Sequence, residues 1–135
     1  MSTSALVLAL FIAWTLLLLV VMEAMRSHLV VTGRTRSNAF DPENSKLSPF
    51  MQRLARAHAN CLEGLPIFGG LMLVAMVTGR TAITDPLALV LLAARLAQSV
   101  IHLVSVSSFA ITARFAAFTV QMVIAVIWTV QLLAN

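Results

Sequence analysis

The sequence predicts an all-α integral membrane protein, a bundle of four transmembrane helices. Two observations set the class. Of 135 residues, 60% are hydrophobic and only 10% are charged, where a soluble domain carries about 25% charge. At about 20 residues per span the chain has room for four crossings joined by short loops, with no separate soluble domain. A third observation points toward function. The segment Arg53–Phe68, RLARAHANCLEGLPIF, sets Arg53, Arg56, Asn60 and Glu63 at i, i+3, i+7 and i+10 in an otherwise apolar run. At about 100° per residue these four fall within an arc of roughly 80° on a helix. Polar groups cost several kcal/mol in hydrocarbon unless paired, so the stripe must face protein, ligand or a water-filled cavity.

Helix 1 is expected over about 5–26, nearly pure Leu, Val, Ala and Ile. It has no basic leader and no small-residue cleavage site, so it reads as a retained span rather than a cleaved signal. Trp14 lies near its middle and reads as a packing residue. Glu23 and Arg26, one turn apart, form either an interfacial pair or a site at the membrane face that uses Arg26. Residues 27–48 form the one long loop, rich in turn formers such as Gly33, Asn38, Pro42 and Asn44. Arg34, Arg36 and Lys46 make it basic, and Asp41 and Glu43 flank Pro42 in solvated turns.

Helix 2 is expected over about 49–78, with Pro49 in its first turn. Pro66 predicts a kink that frees the carbonyl near Leu62, and Gly64, Gly69 and Gly70 allow close helix contact. Gly79 to Asp85 makes a short connection. Helix 3 is expected over about 86–106. A single helix from Pro86 to Asn135 would be roughly 75 Å long against a hydrocarbon core of about 30 Å, so the chain must turn. The most polar place is Ser105 to Arg114, and helix 4 follows over about 112–133, with Trp128 and Gln131 suited to an interface. The whole chain, 1–135, reads as one membrane domain. Basic residues gather on the first loop and its flanks, which predicts that this loop is cytoplasmic and both termini lie outside. A bacterial inner membrane fits the short loops, with a microsomal membrane as the alternative.

Helix 3 repeats the spacing of helix 2, with Arg95, Gln98, His102 and Ser105 at i, i+3, i+7 and i+10. Two stripes of one pitch predict a shared polar site between helices or between copies. Glu63 is the natural partner for one of the arginines. In helices 2 to 4, however, Arg53, Arg56, Arg95 and Arg114 face Glu63 alone, and the surplus positive charge calls for an anion bearing carboxylates or phosphate. His58 lies away from the stripe centre and reads as an interfacial or packing residue. Cys61, the single cysteine, reads as packing. His, Cys and acidic residues do not recur at ligand spacing, so no metal is expected. No Ser-His-Asp arrangement, phosphate loop or nucleotide fingerprint occurs, and the scattered basic residues give no reason to expect nucleic acid.

The pattern R-x-x-R-A-x-x-N-x-x-E-x-x-P-x-F, carried by Arg53, Arg56, Ala57, Asn60, Glu63, Pro66 and Phe68, resembles the helix 2 signature of the membrane-associated proteins in eicosanoid and glutathione metabolism, the MAPEG family. That family includes the microsomal glutathione transferases, leukotriene C4 synthase and prostaglandin E synthase. Asn60-Cys61 followed by Glu63 is similar to the leukotriene synthase form, and the loop segment NAFDPEN is similar in style to the microsomal transferases. The resemblance extends to length, helix number, the long basic loop and Ala94-Arg95 in helix 3. It implies a homotrimer of four-helix subunits with glutathione as co-substrate, bound at subunit interfaces near the cytoplasmic face by Arg53, Arg56, Asn60 and Glu63. Arg95, Gln98 and His102 join that set through the helix 3 stripe, with Arg26 and Arg34 as further candidates. It also implies that Arg114 stabilises the glutathione thiolate.

Many members carry a tyrosine seven residues after the helix 3 arginine. Here that position is His102, and the chain has no tyrosine. Either His102 takes over the ligand contact, or glutathione binding is altered or lost. The resemblance implies a membrane-bound glutathione transferase or peroxidase acting on lipophilic electrophiles or hydroperoxides. The alternative is a non-catalytic protein of the same fold that binds lipid or a partner. A small multidrug-type transporter is disfavoured, because Glu23 sits at a helix end rather than in mid-membrane.

Overall fold

The structure is a computed structural model and describes residues 1–134. Four helices make it up: α1 Thr3–Val31, α2 Pro49–Val77, α3 Thr81–Val104 and α4 Ser108–Leu133. All four are long and apolar enough to cross a membrane. Their termini follow from local chemistry. Ser2, Ser48 and Ser107 each accept a hydrogen bond on Oγ from the backbone N–H three residues on, capping α1, α2 and α4. Gly33 and Gly79, at φ 75° and 69°, close α1 and α2. In each case the glycine N–H and the next N–H reach back to the last turn: Gly33 to Val30 and Arg34 to Leu29, Gly79 to Met76 and Arg80 to Ala75. Only glycine takes this left-handed position without steric cost.

Three boundaries differ from the sequence expectation. Helix α1 runs to Val31 rather than 26, because the stop is set by Gly33 and not by the charged pair at Glu23 and Arg26. Helix α3 begins at Thr81 rather than at Pro86. A proline in the second turn removes a single backbone bond, to Ala82, so the first turn forms ahead of it. The turn between α3 and α4 is confined to residues 105–107, where Ser105 is extended at φ −155°. Arg114 therefore lies in the second turn of α4 rather than near its start. Helix α2 continues unbroken through Pro66.

Helix α3 is central. It packs against α1, α2 and α4, whereas α1 and α4 do not touch and α2 meets α4 only marginally. The core is a mostly apolar seam through Val7, Phe11, Leu18, Leu54, Met72, Leu91 and Trp128. Trp128 is fully buried, a correction to its expected interfacial place: it is a core residue of α4, while Trp14 is half-buried against the same core. Helix α4 is the least covered, with 22% of its apolar window buried within the chain. Its outward side is Val, Ile and Phe, a surface suited to lipid or to other protein rather than to water.

Candidate functional site

The two polar stripes meet at Asn60. Arg95 Nη1 donates to Asn60 Oδ1 at 2.7 Å, and Gln98 Nε2 donates to the same oxygen at 3.3 Å. Gln98 Oε1 in turn accepts from Gln121 Nε2 at 2.9 Å, and Gln121 also donates to the carbonyl of Ala117. Because arginine can only donate, this chain fixes each amide: Asn60 presents its oxygen to α3, and Gln98 turns its oxygen toward α4. A hydrogen-bonded line of four side chains thus ties α2, α3 and α4 at one level. Cys61 adds a contact to Ser99 at 3.3 Å beside it.

Arg95 is fully buried. Its guanidinium lies between the rings of Phe11 and Phe68, 5.4 and 5.6 Å from their centroids. A desolvated cation in this setting gains on the order of 2 kcal/mol per favourable ring contact. Gly64 makes room for it: a Cβ there would stand 2.7 Å from Arg95 Nη2 and 3.0 Å from Phe68. The expected pairing of Glu63 with an arginine does not occur. Glu63 is exposed and makes no ion pair, and the one ion pair among the described residues is Glu23–Arg26. Arg95 takes the neutral Asn60 instead, leaving its Nε and Nη2 without hydrogen-bond partners.

A cleft of about 870 Å³ opens beside this line, between α2 and α4 with α3 as its floor. It brings together Asn60, Glu63, Gln98, His102 and Arg114 of the expected set. Asn60 Oδ1 is engaged by α3, and Asn60 Nδ2 makes no hydrogen bond and is not buried, so it is available to the cleft. Arg114 has no partner for its buried Nε and none for its terminal nitrogens among the described residues. His102 is buried with Nδ1 unpartnered, and the charges of Arg114, Arg95 and Arg56 all act on it. One end of the cleft is polar: Arg114 and His102 line it, Arg95 lies behind it, and one carboxylate, Glu63, stands beside them. Beyond this end the wall is apolar, formed by Ile67 of α2 and by Ile111, Phe115, Phe118 and Met122 of α4.

The other expected residues stand apart. Arg95 supports the cleft from behind rather than lining it. Arg53 donates from Nε to the carbonyl of Leu103 at 2.8 Å and lies over Phe50, bracing the last turn of α3. Arg56 is exposed on α2 and does not line the cleft. Arg26 is taken up by structure. Besides Glu23, it donates from Nε and Nη2 to Asn44 Oδ1 at 3.0 and 2.6 Å and from Nη2 to the carbonyl of Asp41, and it lies over Phe40. Arg34 lines a separate cavity at the loop end of the bundle. The sequence reading overlooked Gln121 and the α4 wall. An amide in the middle of an apolar span is itself a signal for an interhelical hydrogen bond, so Gln121 could have been found. Among the described residues no cluster of His, Cys, Asp and Glu could hold a metal ion.

Searches of curated proteins and of solved structures gave no match. The MAPEG family model matches residues 4–134 of the 135. With four apolar helices and a family match over nearly its whole length, the chain belongs to the MAPEG family, integral multi-pass membrane proteins associated with glutathione and eicosanoid metabolism.

Proposed function

We propose that this protein is a membrane glutathione transferase or peroxidase that conjugates or reduces lipophilic electrophiles with the glutathione thiolate. The observation that carries the reading is the joining, in one cleft, of an unpartnered cation, Arg114, and the unpartnered His102 to an apolar wall on the least covered helix. Glutathione offers two carboxylates, one ammonium and a thiol. The donor set suits it: Arg114 and Asn60 Nδ2 for anionic groups, with Arg56 nearby, and Glu63 for the ammonium. His102, at the position where many relatives hold tyrosine, supplies a ring nitrogen. A neighbouring copy in a homotrimer would cover the exposed side of the cleft.

A cation beside a thiol lowers its pKa and raises the thiolate fraction. Arg114 is assigned that role. The thiol proton passes to water, and the sulfur electron pair forms a bond to the electrophilic carbon as the leaving group departs with its own pair. With a hydroperoxide, the thiolate attacks the terminal oxygen, the O–O bond breaks, and the alkoxide takes a proton from water. A second glutathione then converts the sulfenic acid to glutathione disulfide and water. The apolar wall receives the lipophilic part of the substrate and keeps water from it.

The test is glutathione binding to detergent-purified protein, followed by ultraviolet thiolate absorbance near neutral pH. A thiolate signal is expected, falling at least tenfold in Arg114→Ala with the melting temperature unchanged. Binding without thiolate would sink the catalytic reading and favour a recognition protein of the same fold. No binding at all would sink the glutathione assignment.

A further inference from the structure

A second cavity, of about 640 Å³, lies where the end of α1, the long loop and the start of α2 meet. Its wall carries three basic side chains, His28, Arg34 and Lys46, and no acidic residue. Its floor is apolar and includes Met25, Leu29 and Met51. None of the three basic groups forms an ion pair among the described residues. Of the acids near in sequence, Glu23 pairs with Arg26 and Asp41 accepts from the backbone and hydroxyl of Ser45, while Glu43 is exposed and does not line the cavity.

The cavity is built rather than incidental. Asn44 is buried at φ 55°, a left-handed position that asparagine tolerates better than most residues. It receives Arg26 on Oδ1 and donates from Nδ2 to the carbonyl of Met51 at 2.8 Å. Arg26 and Asn44 thereby clamp the loop to both α1 and α2 and hold the wall that carries Lys46 against the wall that carries His28. A basic rim over an apolar floor, at the end of a transmembrane bundle, matches one ligand chemistry: a phosphate with attached acyl chains.

We propose that this cavity binds one acidic phospholipid of the surrounding leaflet. Its phosphate is held by Arg34 and Lys46 with His28 beside them, and its chain lies on Met25, Leu29 and Met51. A basic residue near an anionic membrane surface contributes roughly a fivefold gain each. The site is separate from the cleft between α2 and α4 and does not depend on the glutathione reading.

The experiment uses the whole protein in a neutral detergent. Dioctanoyl phosphatidylglycerol, dioctanoyl phosphatidylcholine and glycerol 3-phosphate are titrated in turn, with binding read by native mass spectrometry. The phosphatidylglycerol is expected to bind saturably, at least tenfold tighter than either of the other two. The Arg34→Gln/Lys46→Gln double variant is expected to weaken it on the order of twentyfold. Arg36→Gln serves as the control, being an exposed loop arginine outside the cavity, and is expected to leave binding unchanged. Equal binding of phosphatidylcholine would overturn the charge argument. Equal binding of glycerol 3-phosphate would replace the lipid with a soluble phosphate. A loss in Arg36→Gln as large as in the double variant would reduce the effect to general loop charge, and displacement by excess glutathione would assign the cavity to the other ligand.

Discussion

The α2–α3 end of the bundle and the cleft handle charge in opposite ways. At the end holding the α2–α3 connection, the charged groups close helix termini. Asp85 Oδ1 accepts the Ser4 N–H at 2.8 Å and the Ser4 hydroxyl at 2.6 Å, placing a carboxylate on the first turn of α1, where the exposed N–H groups and the helix dipole favour an anion. Arg80 donates from Nη1 to the carbonyl of Leu132 and from Nη2 to that of Gln131, supplying donors to the last turn of α4. Each charge is spent on backbone groups that would otherwise lack partners. At and behind the cleft, Arg114 and Arg95 retain buried nitrogens with no partner. Unpaired buried donors are costly. Where one region of a molecule satisfies its charges and another does not, the unsatisfied region is the one shaped for something else to arrive.

This contrast can be broken from either side. The largest effect is expected from Gly64→Ala. The new Cβ meets Arg95 Nη2 at 2.7 Å and the Phe68 ring at 3.0 Å, so the guanidinium must leave its place between the two phenylalanines or drag Asn60 with it. Overpacking of this kind costs about 3 kcal/mol at its upper end. Both thermal stability and glutathione affinity are expected to fall together. Retained affinity with lowered stability would show that the Arg95–Asn60 line does not shape the cleft. A smaller effect is expected from Asp85→Ala at the opposite end. It removes the acceptor of two hydrogen bonds at a helix N-terminus and is expected to lower unfolding stability by about 2 kcal/mol. Glutathione affinity is expected to stay within a factor of two, measured beside the thermal melt. A comparable loss of affinity would mean that the two ends are coupled through the helices, and the division of labour would not hold.

The outline of this contrast was legible in the sequence, but its partners were not. Four spans, the long basic loop and the stripe from Arg53 to Glu63 are one-dimensional signals of composition and period. The repeat of that stripe at Arg95, Gln98 and His102 pointed correctly to a meeting of α2 and α3. What a single helix cannot reveal is which side of its stripe a neighbour covers. Glu63 and Asn60 are three residues apart and line the same cleft, yet Glu63 stays exposed and unpaired while Asn60 receives Arg95. Phe11 lies in an apolar run indistinguishable from its surroundings, and only the crossing of α1 with α3 sets it beneath a guanidinium. Asp85 reads in the sequence only as the end of the short connection before helix 3. Its role at the start of α1 depends on a partner 81 residues away. Gly33 carried the true end of α1, but as one glycine among many turn formers it was outweighed by the nearby charges.

The smallest effect lies in the loop and sharpens the comparison by showing a charge at the site end that is fully satisfied. The Asp41 carboxylate accepts from the side-chain hydroxyl and the backbone N–H of Ser45, and these bonds hold its pKa below the ordinary value of 3.8. A depressed carboxylate pKa stabilises the folded loop at pH above the ordinary value. That contribution is lost as pH falls through the lower, folded value. Across the physiological range the loop should therefore be indifferent to pH, with its clamp through Arg26 and Asn44 intact. The amide resonance of Ser45 is expected to shift with a midpoint below 3.8, and the shift is expected to vanish in Asp41→Asn. A midpoint at or above 3.8 would mean that Ser45 does not hold the carboxylate. The turn that follows Pro42 would then lack its internal support, and the cavity wall carrying Lys46 would rest on Asn44 alone.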